Sequence, residues 1–336
     1  MITDAATSEI NVDLFSQFIA QTVIIGDSPT DVFNAGSIGF RTSGTFNLSE
    51  NSRTNIIGTN YALSSNIVSE GRITNNFTGA NGQGTSIEIT NNAAFTGTTI
   101  DLGEELNDSL NFGALQLNSP GVATVSENSA THFTRTSDVY ELNLTSAGAV
   151  TDAISSSLNV ATTANIEATL VRLGENDTDQ VSAGLFSVDS TGIVEITEND
   201  ADNPIVIVTN GGITGNENGI NRFLSLNGGP LNLESELTDF LELGQLQFDS
   251  NGNTFITIDS DFELTGTNDD GPLRLVSSST VTDSESSEIL AEGSVSITAI
   301  DLMIEELANE SFDVLNGDES LFVNFSGLIE IVLNQS

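Results

Sequence analysis

The 336-residue chain has no cysteine, no tryptophan and no lysine, and its basic side chains are seven arginines and one histidine. Without cysteine, neither disulfides nor thiolate metal sites are possible. Forty-eight acidic residues give a formal net charge of −41. Nucleic acid and anionic lipid are held by clustered lysine and arginine, so the sequence predicts neither as a partner. No stretch approaches 18 consecutive apolar residues, and no membrane insertion is expected. The first residues show no basic segment followed by an apolar one, so no signal peptide is read there. Aromatic residues are also unbalanced, with eighteen phenylalanines against two tyrosines. Platforms for sugar rings use exposed Tyr or Trp, whereas phenylalanines such as Phe40 and Phe248 read as core.

What is present is a core-forming, strand-rich pattern. Hydrophobic residues make up 38% of the chain and its mean hydropathy is +0.00, which separates it from a disordered acidic tail. The acidic excess suits salty or cation-rich surroundings, where screening weakens self-repulsion. It also guards unpaired strand edges against aggregation. Stretches such as GALQLNSPGVATV, VYELNLTSAGAV and NTFITIDSDFEL alternate apolar and polar residues, the mark of half-buried strands. Clusters of Asn, Asp, Gly and Ser break them, and the five prolines sit at or beside such breaks. Ile300 to Leu307 reads equally as a helix or as a strand followed by a turn.

Internal repetition decides the fold class. Glycines 44, 121, 192, 252 and 327 anchor five copies of unequal length, the third copy being the shortest. Six residues before each glycine stands Ile38, Leu115, Phe186, Leu246 or Leu321. Four before it stands Phe40, Leu117, Val188, Phe248 or Val323, and four after it Leu48, Val125, Ile196, Ile256 or Ile331. A second marker, apolar-Thr-polar, recurs as Ile2-Thr3-Asp4, Ile73-Thr74-Asn75, Val150-Thr151-Asp152 and Val281-Thr282-Asp283, with a blurred form at Ile213-Thr214-Gly215. The copies span roughly 1–35 (partial), 36–112, 113–183, 184–243, 244–318 and 319–336 (partial), within one elongated solenoid over 1–336. MITDAATSEINV aligns without a gap on AVTDAISSSLNV from Ala149, so Met1 stands where a repeat residue would be. That predicts a segment of a longer polypeptide.

Within a copy, apolar pairs fall about eight residues apart. Three such sides predict a coil of about 24 residues, and therefore an all-β, right-handed parallel β-helix whose coils bury one another's faces. Length differences then belong to corners. The extra residues of the first copy fall in TNNFTGANGQGTS, between Ile73 and Ile87, and the loss in the third falls around GGITGNENG.

The order GALQL…SPGVATVSENSA…LNLTSAGAVTDAISSSLNVATTANIEATLVRLGENDTD resembles the repeats of bacterial haemagglutinin-type adhesins. Its late glycine and Asx turn appear as Gly26 with Asp31, Gly103 with Asp108, and Gly174 with Asp179. The resemblance covers the whole chain. It implies a secreted, cell-surface protein with a β-helical shaft. The acidic excess and the blurred third marker depart from that pattern.

Motifs that carry chemistry are scarce. His132, with Arg135 three residues on, reads as a surface residue, and no carboxylate pair is set apart by His, Arg or aromatic neighbours. No enzyme is expected. No cofactor is expected except calcium, whose hard-oxygen chemistry fits the acidic turns. Asp177, Asp179, Asp200 and Asp202 are the candidate ligands, with further Asx turns at Asp249 to Asn253 and Asn268 to Asp270. Asn51, Asn128, Asn199 and Asp259 recur at one corner and predict an Asx ladder or turn cap. The expected role is a structural or adhesive shaft segment, outside the cell. Its partners would be neighbouring repeats, identical subunits stacked end to end, or cell-surface glycans or a host surface. The alternatives are a head-to-tail filament subunit and a polysaccharide-binding or polysaccharide-active β-helix.

Overall fold

The computed structural model describes residues 1–76, 84–105, 107–174, 176, 178–190, 194–197, 205–206, 223–228, 231–233, 245–250, 253–258, 261–284, 287–291, 294–305, 311–314, 321–325 and 329–332. Alternating side chains put one face of each strand inward, and every strand pairing among these residues is parallel. The chain is a parallel β-solenoid, all-β and without helix among the described residues. Ile300 to Leu307 is resolved in favour of a strand, Asp301–Glu305.

The chain divides into two compact units: 1–167 with 178–180, and 168–177 with 181–336. In the first, Ile2 pairs with Val23, Val23 with Phe46, Phe46 with Ser65, Ser65 with Ala93, Ala93 with Leu115 and Leu115 with Phe133. In the second, Val171 pairs with Val194, Val194 with Leu224, Leu224 with Leu246 and Leu246 with Leu264. Val281 then pairs with Leu302, and Leu302 with Ile329. The uniform 24-residue coil is therefore corrected. The coil from Leu246 to Leu264 is shorter than that figure, and the coil from Val194 to Leu224 is longer.

Twelve of the fifteen anchor positions are described in full and all are buried, from Ile38 and Phe40 through Val125 to Phe248 and Ile256. Leu321, Val323 and Ile331 lie in strands. In the first unit the core is aromatic: Phe40 stacks on Phe46 with ring centres 4.2 Å apart. The anchor glycines have a steric reason. A Cβ at Gly44 would come 2.6 Å from Gln21 O, and one at Gly121 would come 2.5 Å from Thr98 O, so only glycine lets the strand corner lie on the coil beneath. The insertion in TNNFTGANGQGTS falls partly on residues 77–83, and GGITGNENG falls on 211–219. Both stretches, and the blurred Ile213-Thr214-Gly215 marker, lie outside the described residues.

Candidate functional site

The side chains that recur at fixed offsets are the natural place to look for function, and the first set lies at the acidic corner. Gly26, Gly103 and Gly174 adopt φ of +72°, +85° and +77°, a left-handed turn that L-residues resist. The third residue of the apolar-Thr-polar marker reaches over to this turn. Gly26 N–H donates to Asp4 Oδ2, and Gly103 N–H donates to Asn75 Oδ1, both at 2.9 Å. Five residues after each glycine an aspartate accepts backbone N–H groups from the preceding coil. Ser8 N–H donates to Asp31 (3.0 Å), Thr85 N–H to Asp108 (2.6 Å) and Ser155 N–H to Asp179 (2.7 Å). Asp31 and Asp108 also cap their own turns, accepting from Ser28 N–H and Glu105 N–H.

Of the calcium candidates, Asp179 is therefore buried and hydrogen-bonded to a coil neighbour. Asp177, Asp200 and Asp202 lie outside the described residues. The closest grouping of carboxylates among the described residues is elsewhere: Asp4, Asp27 and Asp31 each place an oxygen within 4.8 Å of the others. Two of these three carboxylates already accept N–H groups.

A second set of side chains stands in for backbone at the short coils. Asn51 Oδ1 accepts from Phe33 N–H at 2.9 Å, and Asn128 Oδ1 accepts from Leu110 N–H at 2.7 Å. In place of the expected Asx ladder or turn cap, the side chain bridges to the backbone of the coil beneath. Asn199 and Asp259 lie outside the described residues. Asn60 Oδ1 accepts from Phe40 N–H, and Asn268 Oδ1 accepts from Phe248 N–H. Asn268 is fully buried and belongs to the strand Thr267–Asp270 rather than to a turn.

The sequence reading missed two buried glutamates, Glu50 and Glu127, at the same position of consecutive copies. Glu50 accepts from Ala35 N–H (2.8 Å), Thr54 Oγ1–H (2.6 Å) and Ser52 Oγ–H (3.1 Å). Glu127 accepts from Phe112 N–H (2.8 Å), Thr131 Oγ1–H (2.7 Å) and Ser129 Oγ–H (2.7 Å). Their signal was available as one string in the same place of two copies, Glu50-Asn51-Ser52-Arg53-Thr54 and Glu127-Asn128-Ser129-Ala130-Thr131. His132 sits on the next rung, where its Nδ1 lies 2.8 Å from Thr151 Oγ1.

Desolvation pushes both glutamate carboxyls above their ordinary value of 4.5, and the three hydrogen bonds to each recover only part of that penalty. A carboxyl with a raised folded pKa binds its proton more tightly in the native state. Its stabilising contribution is complete below 4.5 and is lost as pH rises through the raised value. Asp261 works the other way. The Ser279 hydroxyl and the Thr280 N–H hold it below 3.8, so its contribution is present above that value and fades in stronger acid. Melting temperature should therefore climb as pH falls from 8 towards about 5. In Glu127→Gln the climb should be shallower, with the variant gaining on the wild type at pH 8 and converging with it near 4.5. Parallel melting curves across that range would show that Glu127 does not titrate with folding.

Comparison with known proteins finds no family model, no curated protein and no solved structure that matches the chain.

Proposed function

We propose that the chain is a non-enzymatic shaft segment of a large secreted bacterial surface protein, structural or adhesive in role. One observation carries this reading: the repeated polar side chains join one coil to the next. Glu50 and Glu127, Asn51 and Asn128, and Asp31, Asp108 and Asp179 each accept N–H groups from a neighbouring coil. A solenoid braced in this way resists separation of its coils, which is what a load-bearing shaft needs. The resemblance to haemagglutinin-type repeats supports the surface setting, and the acidic excess suits an extracellular one. A tandem of this chain, pulled by its termini, should extend in steps that correspond to the release of whole coils. Smooth extension like that of an unfolded chain would overturn the proposal, as would release of reducing ends from a panel of polysaccharides.

A filament subunit that stacks head to tail is the second reading. The strand Glu9–Ala20 pairs on one side only, with Val32–Thr42, among the described residues. It exposes Leu14 (80%), Ile19 (65%) and Phe15 (43%). Such an apolar edge accepts a further strand, from a preceding coil of the same polypeptide or from a second copy. Concentration-dependent sedimentation that Leu14→Glu abolishes would favour the filament, and a monomer at all concentrations would exclude it.

A further inference from the structure

One corner of the first unit stacks two arginines in an otherwise anionic chain. Thr54 and Asn55 pair in register with Ile73 and Thr74, and Thr54 N–H donates to Arg72 O. Arg53 and Arg72 therefore occupy successive rungs. Gly71 permits the approach, because a Cβ there would lie 3.0 Å from Arg53 Cα and from Ser52 O. Together with Asn55, Thr74 and Asn76, the two arginines line a recess of about 270 Å³. Arg72 donates to Asp101 at 2.7 Å. Arg53 and Asn76 make no side-chain hydrogen bond or ion pair among the described residues.

The fold does not require this chemistry. In the next copy the same corner is built again, with Thr131 paired to Val150 and a Cβ at Gly148 falling 2.9 Å from Ala130 Cα. There the two arginine positions are Ala130 and Ala149, and Asn55 and Asn76 are replaced by His132 and Ala153. The corner stands equally well with two methyl groups. Like charges on adjacent rungs oppose folding, so the arginines answer to something other than the scaffold.

We propose that this recess binds the carboxylate end of a single sugar acid, a uronic acid or another acidic monosaccharide. Guanidinium forks match a carboxylate in geometry and form its strongest hydrogen bonds. Arg72 is paired with Asp101 and lies in the field of Glu104, so the guanidinium left open to a carboxylate is that of Arg53, with Arg72 beside it. The amide of Asn76 suits a ring hydroxyl, while Thr74 donates to Asn55 Oδ1 at 3.1 Å and Asn55 donates to Ser37 Oγ at 3.2 Å, which holds the wall of the recess in place. The recess falls just below the range of roughly 300–1,000 Å³ that holds drug-sized ligands, which fits one sugar ring better than an oligosaccharide. The field of a chain with net charge −41 repels polyanions, which disfavours sulfated polymers and the acidic surface of a second copy. The proposal adds a ligand class to the adhesive reading and takes from it only the setting at a glycan-covered surface.

Saturation-transfer NMR of the whole chain with glucuronate, glucose and acetate tests it at low salt. Glucuronate should bind saturably, and glucose and acetate at least about tenfold more weakly, since each lacks one half of the recognition. Arg53→Gln and Arg72→Gln should each weaken glucuronate binding by about tenfold or more. Both arginines are exposed and their like charges oppose folding, so neither variant should melt appreciably below the wild type. The proposal is overturned if glucuronate gives no saturable signal, if both variants bind it like the wild type, or if acetate binds as tightly. Self-association that Arg53→Gln abolishes, without any glucuronate signal, would assign the arginines to a second copy and overturn it too. The pulling experiment does not depend on the recess, so failure here leaves the shaft reading to stand or fall separately.

Discussion

Val125→Asp is expected to abolish the native fold of the coils around it. Val125 has no exposed surface and faces inward between Leu102 and Leu144 on the adjacent rungs. A carboxylate there has no donor within reach, and an unpaired buried charge costs several kcal/mol, enough to outweigh the stability of neighbouring coils. Far-UV circular dichroism should show a loss of strand signal at 25 °C, or at least a much earlier melting transition. Glu88→Ala, on the exposed face of the strand Ser86–Thr96, should change stability by no more than about 0.5 kcal/mol. Equal tolerance at the two sites would mean that the inward and outward faces have been exchanged.

The second large effect is expected at the left-handed corner. Gly103→Val meets two penalties at once. Its φ of +85° disfavours any side chain, a β-branched one most, and its Cβ would fall 2.3 Å from Ser126 O on the next coil. The loss should be about 3 kcal/mol or more. Gly58→Ala separates the two penalties, because Gly58 shares a positive φ of +76° but has nothing within 4 Å of the added Cβ. That variant should lose about 1–2 kcal/mol, the cost of the left-handed backbone alone. Thermal melts that place the two variants together would show that coil-to-coil contact at Ser126 carries no weight.

The class of fold was legible from the chain because it depends on side-chain periodicity, which sequence displays directly. Ile38, Phe40 and Leu48 recur in the next copy as Leu115, Leu117 and Val125, and such a column of apolar residues has few uses other than a stacked core. Coil length was not legible. The 24-residue figure assumed three sides of about eight residues in every coil, whereas Asn51 and Asn128 each accept an N–H from a residue 18 positions earlier in the coil beneath. Asn51 and Asn128 were visible as a recurring corner residue, yet nothing local names a partner a full coil away. Glu50 and Glu127 were missed for a related reason. A glutamate before Asn-Ser reads as solvated turn, and only the surrounding coils make it buried. The recess at Arg53 and Arg72 was hidden in the same way, since a whole coil of chain separates two side chains that the stacking sets side by side.

Those buried glutamates also bear on how a chain of look-alike copies finds the correct partner for each coil. Parallel strands of similar pattern can slip by one rung and still bury most of their apolar residues. At Glu50 and Glu127 such a slip has a penalty. The carboxylate would leave Ala35 N–H or Phe112 N–H for a rung that has a backbone ladder of its own, and a charge would be stranded inside the stack. Two glutamates that are costly to bury thus act as registration pins, because a misaligned coil would leave each carboxylate without its N–H.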